Sequence, residues 1–268
     1  MKRWTALLLM VALLGALMPA VAETADDSLQ RILDKGKLIL GLDASFPPMG
    51  FTDPDTGEIS GFDIDLAKEV AARLGVELVT QPIDWAAKEM ELNAGNIDCI
   101  WNGMTITPER LESMSISKPY LENLQVVVVR KDEGIAALSD LAGKKLGLQA
   151  GSSANDALDA AAEFKASLGE IVPFDENLTA LMDLNGGGLD AVLVDSIVID
   201  YHMTINDYPF VVLDESLAPE EYGIGFRKAD VALCEKVDEL LLAMKEDGTV
   251  EKISTEWFGS DVTVIGRE

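Results

Sequence analysis

Short apolar runs alternate along this chain with stretches whose apolar residues recur every three to four positions. Lys37–Leu42 reads as an apolar strand, and a loop at 43–54 with Pro47-Pro48 and two phenylalanines follows it. After Gly61-Phe62-Asp63 the residues Leu66, Val70 and Leu74 fall four apart, and Ala67 and Ala71 share their face. Gly75 stands where a helix end favours a left-handed residue. Residues 76–80 predict a second strand, 85–93 a helix that Asp84 can cap, and 96–101 a third strand. Strands that alternate with helices in this way predict a parallel sheet.

Thr107-Pro108-Glu109-Arg110 opens a helix, with Thr at the cap, Pro at the first helical position and Glu in the first turn. Residues 124–130 carry four consecutive valines, which suits a buried strand or a crossing between lobes. A second α/β unit starts near Leu138. It predicts strands at Lys145–Gln149, Glu170–Phe174, 189–194 and 210–213, with helices at 154–166, at 177–184 and from Ser196. Residues 222–226 are a second candidate crossing, and Leu233, Val237, Leu240, Leu241 and Met244 mark a long amphipathic helix near the end. Two α/β lobes joined by two crossings account for this order most economically. One lobe is expected at 23–123 plus 222–268, the other at 124–221.

Four of the predicted strands stop at polar clusters: Gly41-Leu42-Asp43, Asn102-Gly103-Met104-Thr105, Gly151-Ser152-Ser153 and Val194-Asp195. Ligands of open α/β sheets bind beyond the carboxyl ends of the strands. Arg110, third in its helix, lies beside N–H groups without intrahelical partners and suits a carboxylate bidentately. Its bland alternative is a salt bridge to Glu109 or Glu112. Gly103 permits close backbone approach, and the Thr105 and Ser153 hydroxyls can donate. Ser152 serves equally well as a helix cap. Asp195 can hold an ammonium or simply cap the next helix, and Asp43 poses the same choice before its loop. Phe46, Phe51, Trp85 and Trp101 lie near the expected cleft, with Phe46 and Trp85 as walls and Trp101 as core or floor. Carboxylate donors and ammonium acceptors in one cleft point to capture of a zwitterion.

Composition narrows the classes further. The formal charge of −26 repels nucleic acid and anionic lipid. Lys2 and Arg3, an apolar run at 6–18 and Ala20-Val21-Ala22 read as an export signal cleaved after residue 22. Its loss takes the formal charge to −28, because the segment holds two cations and no acids. No cysteine adjoins the cleavage site, which argues against a lipid anchor, so a periplasmic location is expected. Cys99 and Cys234 are too few for a disulfide framework, and a bridge or two buried thiols are equally open. His202 is the sole histidine and sits in no motif. No HExxH, CxxC, P-loop or GxSxG pattern supports metal, nucleotide or nucleophile chemistry, so no cofactor or metal is expected.

Three longer stretches stand out: Gly61-Phe62-Asp63-Ile64-Asp65-Leu66, Leu92-Asn93-Ala94-Gly95-Asn96-Ile97-Asp98 and Gly103-Met104-Thr105-Ile106-Thr107-Pro108-Glu109-Arg110. Ser117-Lys118-Pro119-Tyr120, the turn at Gly151, the Val194-Asp195-Ser196 junction, Asp247-Gly248-Thr249 and Trp257-Phe258-Gly259 follow in order. In these stretches the chain closely resembles the extracellular solute-binding proteins of polar-amino-acid ABC importers. The resemblance implies a type II clamshell of two mainly parallel sheets flanked by helices, hinged at two crossings. It implies that Arg110 clamps an α-carboxylate with Thr105 and backbone near Gly103 and Ser153, and that Asp195 takes the α-ammonium. Phe46 would pack on the ligand, with Asp43 and Trp85 facing its side chain. Trp101-Asn102 departs from the small residues common in relatives. The implied partners are a free polar, non-acidic amino acid (glutamine, a basic residue or cystine) and an inner-membrane permease, with the receptor a monomer. Two other readings are an exported cyclohexadienyl dehydratase-like lyase, with Glu58, Glu89 and Glu91 as available acids, and a sensing module for a membrane receptor kinase.

Overall fold

A computed structural model describes residues 26–267, so the expected export signal lies outside the described residues. The first half contains α1 (Ser28–Lys35), β1 (Lys37–Leu42), β2 (Ser45–Phe46), β3 (Gly50–Thr52), β4 (Ile59–Ser60), α2 (Phe62–Leu74) and β5 (Glu77–Pro82). There follow α3 (Lys88–Ala94), β6 (Cys99–Thr105), α4 (Pro108–Ser113), β7 (Met114–Ile116) and β8 (Leu121–Arg130). The second half holds β9 (Lys145–Gln149), α5 (Ser153–Ala160), α6 (Ala162–Ser167), β10 (Glu170–Phe174), α7 (Asn177–Gly186), β11 (Ala191–Asp195) and α8 (Ser196–Ile205). The chain closes with β12 (Phe210–Arg227), α9 (Val231–Glu246) and α10 (Thr249–Phe258).

The strands run β10-β9-β11-β8-β12-β6-β1-β5, with β7 paired to β12. β1 is parallel to β5 and β6, and β9 is parallel to β10 and β11. Between these two parallel groups lie β8 and β12, antiparallel to each other. The protein is therefore two-lobed α/β, its lobes joined through a central antiparallel pair. Val126 to Val129 on β8 are all buried, which explains the unbroken apolar run: both faces of this strand are covered. Leu38, Leu40 and Leu42 of β1 are fully buried, each contributing roughly 1.5–3 kcal/mol. The α2 helix ends where Gly75 adopts φ 73°, and its N–H returns to Ala71 and Ala72 carbonyls.

Several elements differ from the sequence pattern, each for a local reason. The expected strand at 210–213 and crossing at 222–226 are one strand of 18 residues, which bulges between Val212 and Ala218 to follow β8. The expected helix at 85–93 begins as a tight turn at Trp85–Ala87 before α3, with the Asp84 carboxylate accepting from the Ala86 N–H at 2.9 Å. The expected helix at 154–166 breaks at Ala161, whose ψ of 55° is not helical. The strand expected at 96–101 instead spans Cys99–Thr105 and so includes the Asn102-Gly103-Met104-Thr105 cluster, with Thr105 paired to Tyr222.

Candidate functional site

The four polar clusters meet. Asp43 follows β1, Asn102, Gly103 and Thr105 end β6, Gln149 ends β9, Ser152 and Ser153 open α5, and Asp195 ends β11. With Phe46, Trp85 and Arg110 they line one narrow cavity between the lobes. All eight residues expected from sequence are in this wall: Asp43, Phe46, Trp85, Gly103, Thr105, Arg110, Ser153 and Asp195. The cavity lies at the carboxyl ends of both parallel strand groups, as the sheet rule requires.

Arg110 is 6% exposed. Its Nη1 donates to the Thr105 carbonyl at 2.8 Å and its Nη2 to the Gly151 carbonyl at 3.4 Å. No carboxylate among the described residues forms an ion pair with it, so the Glu109 and Glu112 alternatives are not realised. Burial pulls its pKa down, opposed by the more distant charges of Asp156, Glu89, Glu220 and Asp195. A desolvated guanidinium of this kind favours an anion in the cavity. Thr107 fixes the helix start by accepting from the Arg110 N–H at 3.2 Å.

The opposite wall is acidic. The Asp195 carboxylate does not cap α8; its Oδ1 accepts from Asn123 Nδ2 at 2.6 Å and from the Tyr222 hydroxyl at 2.7 Å. Burial and then the charge of Glu220 push its pKa up to about 7, against hydrogen bonds from Tyr222 and Gln125. Asp43 is raised to about 6, first by burial, with Glu176 and Asp84 adding repulsion; the Ser45 N–H and Gln149 amide oppose this. Lys88 is lowered to about 8 by burial and by Arg110, and its Nζ lies 5.0 Å from the Trp85 ring centre.

The lobes touch across the cleft. Gln149 Nε2 donates to Asp43 Oδ2 at 2.7 Å, Lys88 Nζ donates to the Gly151 carbonyl at 2.9 Å, and the Thr105 and Ser153 hydroxyls lie 3.0 Å apart. Gly151, at φ 68°, permits this approach: a Cβ there would stand 3.0 Å from Ala86 Cα. Gly103, at φ 57°, similarly leaves no room for a Cβ, which would fall 2.8 Å from the Phe46 ring. Its N–H donates to Asp63 at 2.8 Å, and Asp63 is wholly buried beneath the site.

Other residues singled out in the sequence fall elsewhere. Trp101 is core and lines no part of the cavity, although its neighbour Asn102 does. Phe51 packs against Tyr201 and Trp257, outside the cavity wall. Glu58, Glu89 and Glu91 do not line the cavity. Ser152 donates from Oγ to the Gln149 carbonyl at 2.8 Å and makes no side-chain cap. Cys99 and Cys234 are separate buried thiols, and His202 is buried in the core. Among the described residues no cluster of three or more His, Cys, Asp or Glu could hold a metal ion. Gln149 was not foreseen, although it is the terminal residue of a predicted strand and the same rule reaches it.

Comparison with known proteins agrees with this fold. Residues 38–260 match the family model of bacterial extracellular solute-binding proteins, family 3. The L-cystine-binding protein TcyJ of Escherichia coli (strain K12) is 32% identical over 248 residues, covering 91% of each chain. An ABC uptake transporter substrate-binding protein from Streptococcus pneumoniae with bound histidine superposes with TM-score 0.86 at 36% identity, covering 90% of this chain and 99% of that one. An ancestral amino acid-binding protein, AncCDT-1, a precursor of cyclohexadienyl dehydratase, gives TM-score 0.78 at 36% identity, covering 86% and 99%. The chain belongs to the bacterial extracellular solute-binding proteins of family 3. Within it, the reading as an amino-acid receptor of an ABC importer stands over the dehydratase alternative.

Proposed function

We propose that this protein captures a free polar, non-acidic amino acid between its lobes and delivers it to an inner-membrane permease. The observation that carries the reading is Arg110: a buried guanidinium with no carboxylate partner among the described residues, facing the same cavity as Asp195 and Asp43. The guanidinium takes the α-carboxylate, Asp195 the α-ammonium, and Phe46 and Trp85 flank the side chain. Asp43, with Glu176 and Asp84 adding negative charge at its end, favours a side chain that ends in a cation or a hydrogen-bond donor. Arginine, histidine, glutamine and cystine all meet that requirement, whereas an acidic side chain does not.

The lobes are 23–123 plus 222–268 and 124–221, hinged at β8 and β12. One zwitterion bridges them because Arg110 belongs to the first and Ser153 and Asp195 to the second. Ligand contacts with both lobes are what favour the closed form. The protein works as an exported monomer after loss of residues 1–22, and it performs no chemistry on its cargo. Mass spectrometry of small molecules released by denaturing the purified protein tests this reading. Stoichiometric release of one amino acid is expected. Release of none, together with turnover of arogenate or prephenate, would replace the receptor with the lyase.

A further inference from the structure

Behind the ammonium end of the cavity stands a carboxylate that no sequence pattern singled out. Glu220 lies on β12, and its Oε2 accepts from three donors: Thr105 Oγ1 at 3.1 Å, Asn123 Nδ2 at 2.9 Å and Gln125 Nε2 at 3.0 Å. The same Asn123 amide donates to Asp195 Oδ1 at 2.6 Å, so one side-chain nitrogen links both acids. Every hydrogen bond to the two acids comes from a neutral amide or hydroxyl. The facing titratable and charged groups are Tyr222 on β12, which donates to Asp195, and Arg110 on α4, which feels both acids at longer range.

We propose that Glu220 is a positioning residue for the zwitterion: it orients the Thr105, Asn123 and Gln125 dipoles from the hinge strand and adds its own negative charge to the field at the ammonium end. The inference rests on the amino-acid reading of the site. An ionised carboxylate only accepts, so Thr105 commits its single hydroxyl proton to Glu220, and the Ser153 hydroxyl then donates to Thr105. The hydroxyl chain therefore runs Ser153 to Thr105 to Glu220. An incoming ammonium beside Asp195 screens Glu220 and frees the Thr105 proton for the ligand's carboxylate. The two ends of the zwitterion are thus coupled through one side chain.

The same arrangement predicts a proton count. Two like charges joined through Asn123 make it costly to ionise both, and burial with the charge of Glu220 raises Asp195 to about 7. An ammonium entering near neutral pH displaces a proton from the Asp195 carboxyl group to solvent. Glu220 also lines a separate surface opening with Glu122, Asn123, Ser196 and Glu221.

The test is calorimetric titration of L-arginine, L-histidine, L-glutamine and L-cystine into the full mature protein and E220Q. Titrations at pH 6 and 8, and at pH 7 in two buffers of different ionisation enthalpy, report affinity and protons released. Wild type is expected to bind more tightly at pH 8 than at pH 6 and to release protons at pH 7. E220Q is expected to bind the same amino acid roughly 10- to 100-fold more weakly at pH 8, with proton release reduced to the part that burial of Asp195 alone sets. E220D keeps the charge while withdrawing the oxygen; it is expected to lose affinity yet retain proton release, and it decides the question if E220Q does not fold. Unchanged affinity and proton release in E220Q would overturn the proposal while leaving the receptor reading intact. Weaker binding with unchanged proton release would reduce Glu220 to a structural brace and overturn it too. Failure of wild type to bind any of the four would strike the site reading itself.

Discussion

Replacing Arg110 with Ala separates a ligand clamp from a structural brace. A buried salt bridge deprived of one partner costs about 3–5 kcal/mol. At about 1.4 kcal/mol per tenfold, that is a loss of roughly two to three and a half orders of magnitude in affinity. A micromolar receptor would fall to between about 0.1 and several millimolar. Arg110→Lys keeps the charge but loses the planar fork, so the loss shrinks to about one or two orders. The effect on folding runs the other way. The guanidinium is 6% exposed and its hydrogen bonds end on the Thr105 and Gly151 carbonyls, so Ala removes a desolvated cation that no carboxylate offsets. The melting temperature without added amino acid should therefore equal or exceed that of wild type. With ligand at a hundredfold excess over Kd, wild type gains about 2.7 kcal/mol, or about 5–10 °C for a protein of this size. The variant should show no such rise. Calorimetric affinity within threefold of wild type would refute the clamp, and collapse of the ligand-free melting temperature would make Arg110 a brace.

Three further outcomes follow from the geometry. Asp43, Asp63 and Asp195 are raised to about 6, 7 and 7, in each case chiefly by burial. The folded state thus holds protons that the unfolded chain has released, and stability falls as pH rises from about 4 through about 7. Melting temperatures should be higher at pH 5 than at pH 8, with a shallower slope in Asp63→Asn; an equal slope would remove Asp63 from the account. Lys88→Met deletes the 2.9 Å contact to the Gly151 carbonyl across the cleft. Small-angle scattering should show a more open ligand-free form and calorimetry roughly three- to tenfold weaker binding, while an unaltered scattering curve would deny the contact any part in closure. Gly151→Ala forces a side chain into φ 68° and toward Ala86, so affinity should drop about tenfold, and wild-type affinity would show that closure tolerates a Cβ there.

The sequence made the parallel halves legible because each strand ends in a switch from apolar to polar residues. Asp43, Thr105, Ser153 and Asp195 all sit at such switches, and one topological rule therefore brought them together. The hinge was less legible. Residues 213–221 carry few apolar positions, so the pattern split one long strand into two pieces. Glu220 went unnoticed for the same reason, and Asn123 and Gln125 because they lie on the other crossing strand, away from the strand ends to which the ligand rule points. A signal was present in Gln125, fully buried beside four valines, because a polar side chain in a strand covered on both faces requires partners. What the pattern could not convey is that Asp195 turns away from its helix, because capping and ligand roles use the same residue at the same position.

Whether the interlobe cavity binds a zwitterion is decided by calorimetric titration of mature protein stripped of ligand by unfolding and refolding. The panel is the twenty amino acids with cystine. One or a few one-to-one hits are expected among polar, non-acidic amino acids, lost in Arg110→Ala. Silence across the panel from a folded protein, or tight binding of aspartate or glutamate, would contradict that expectation.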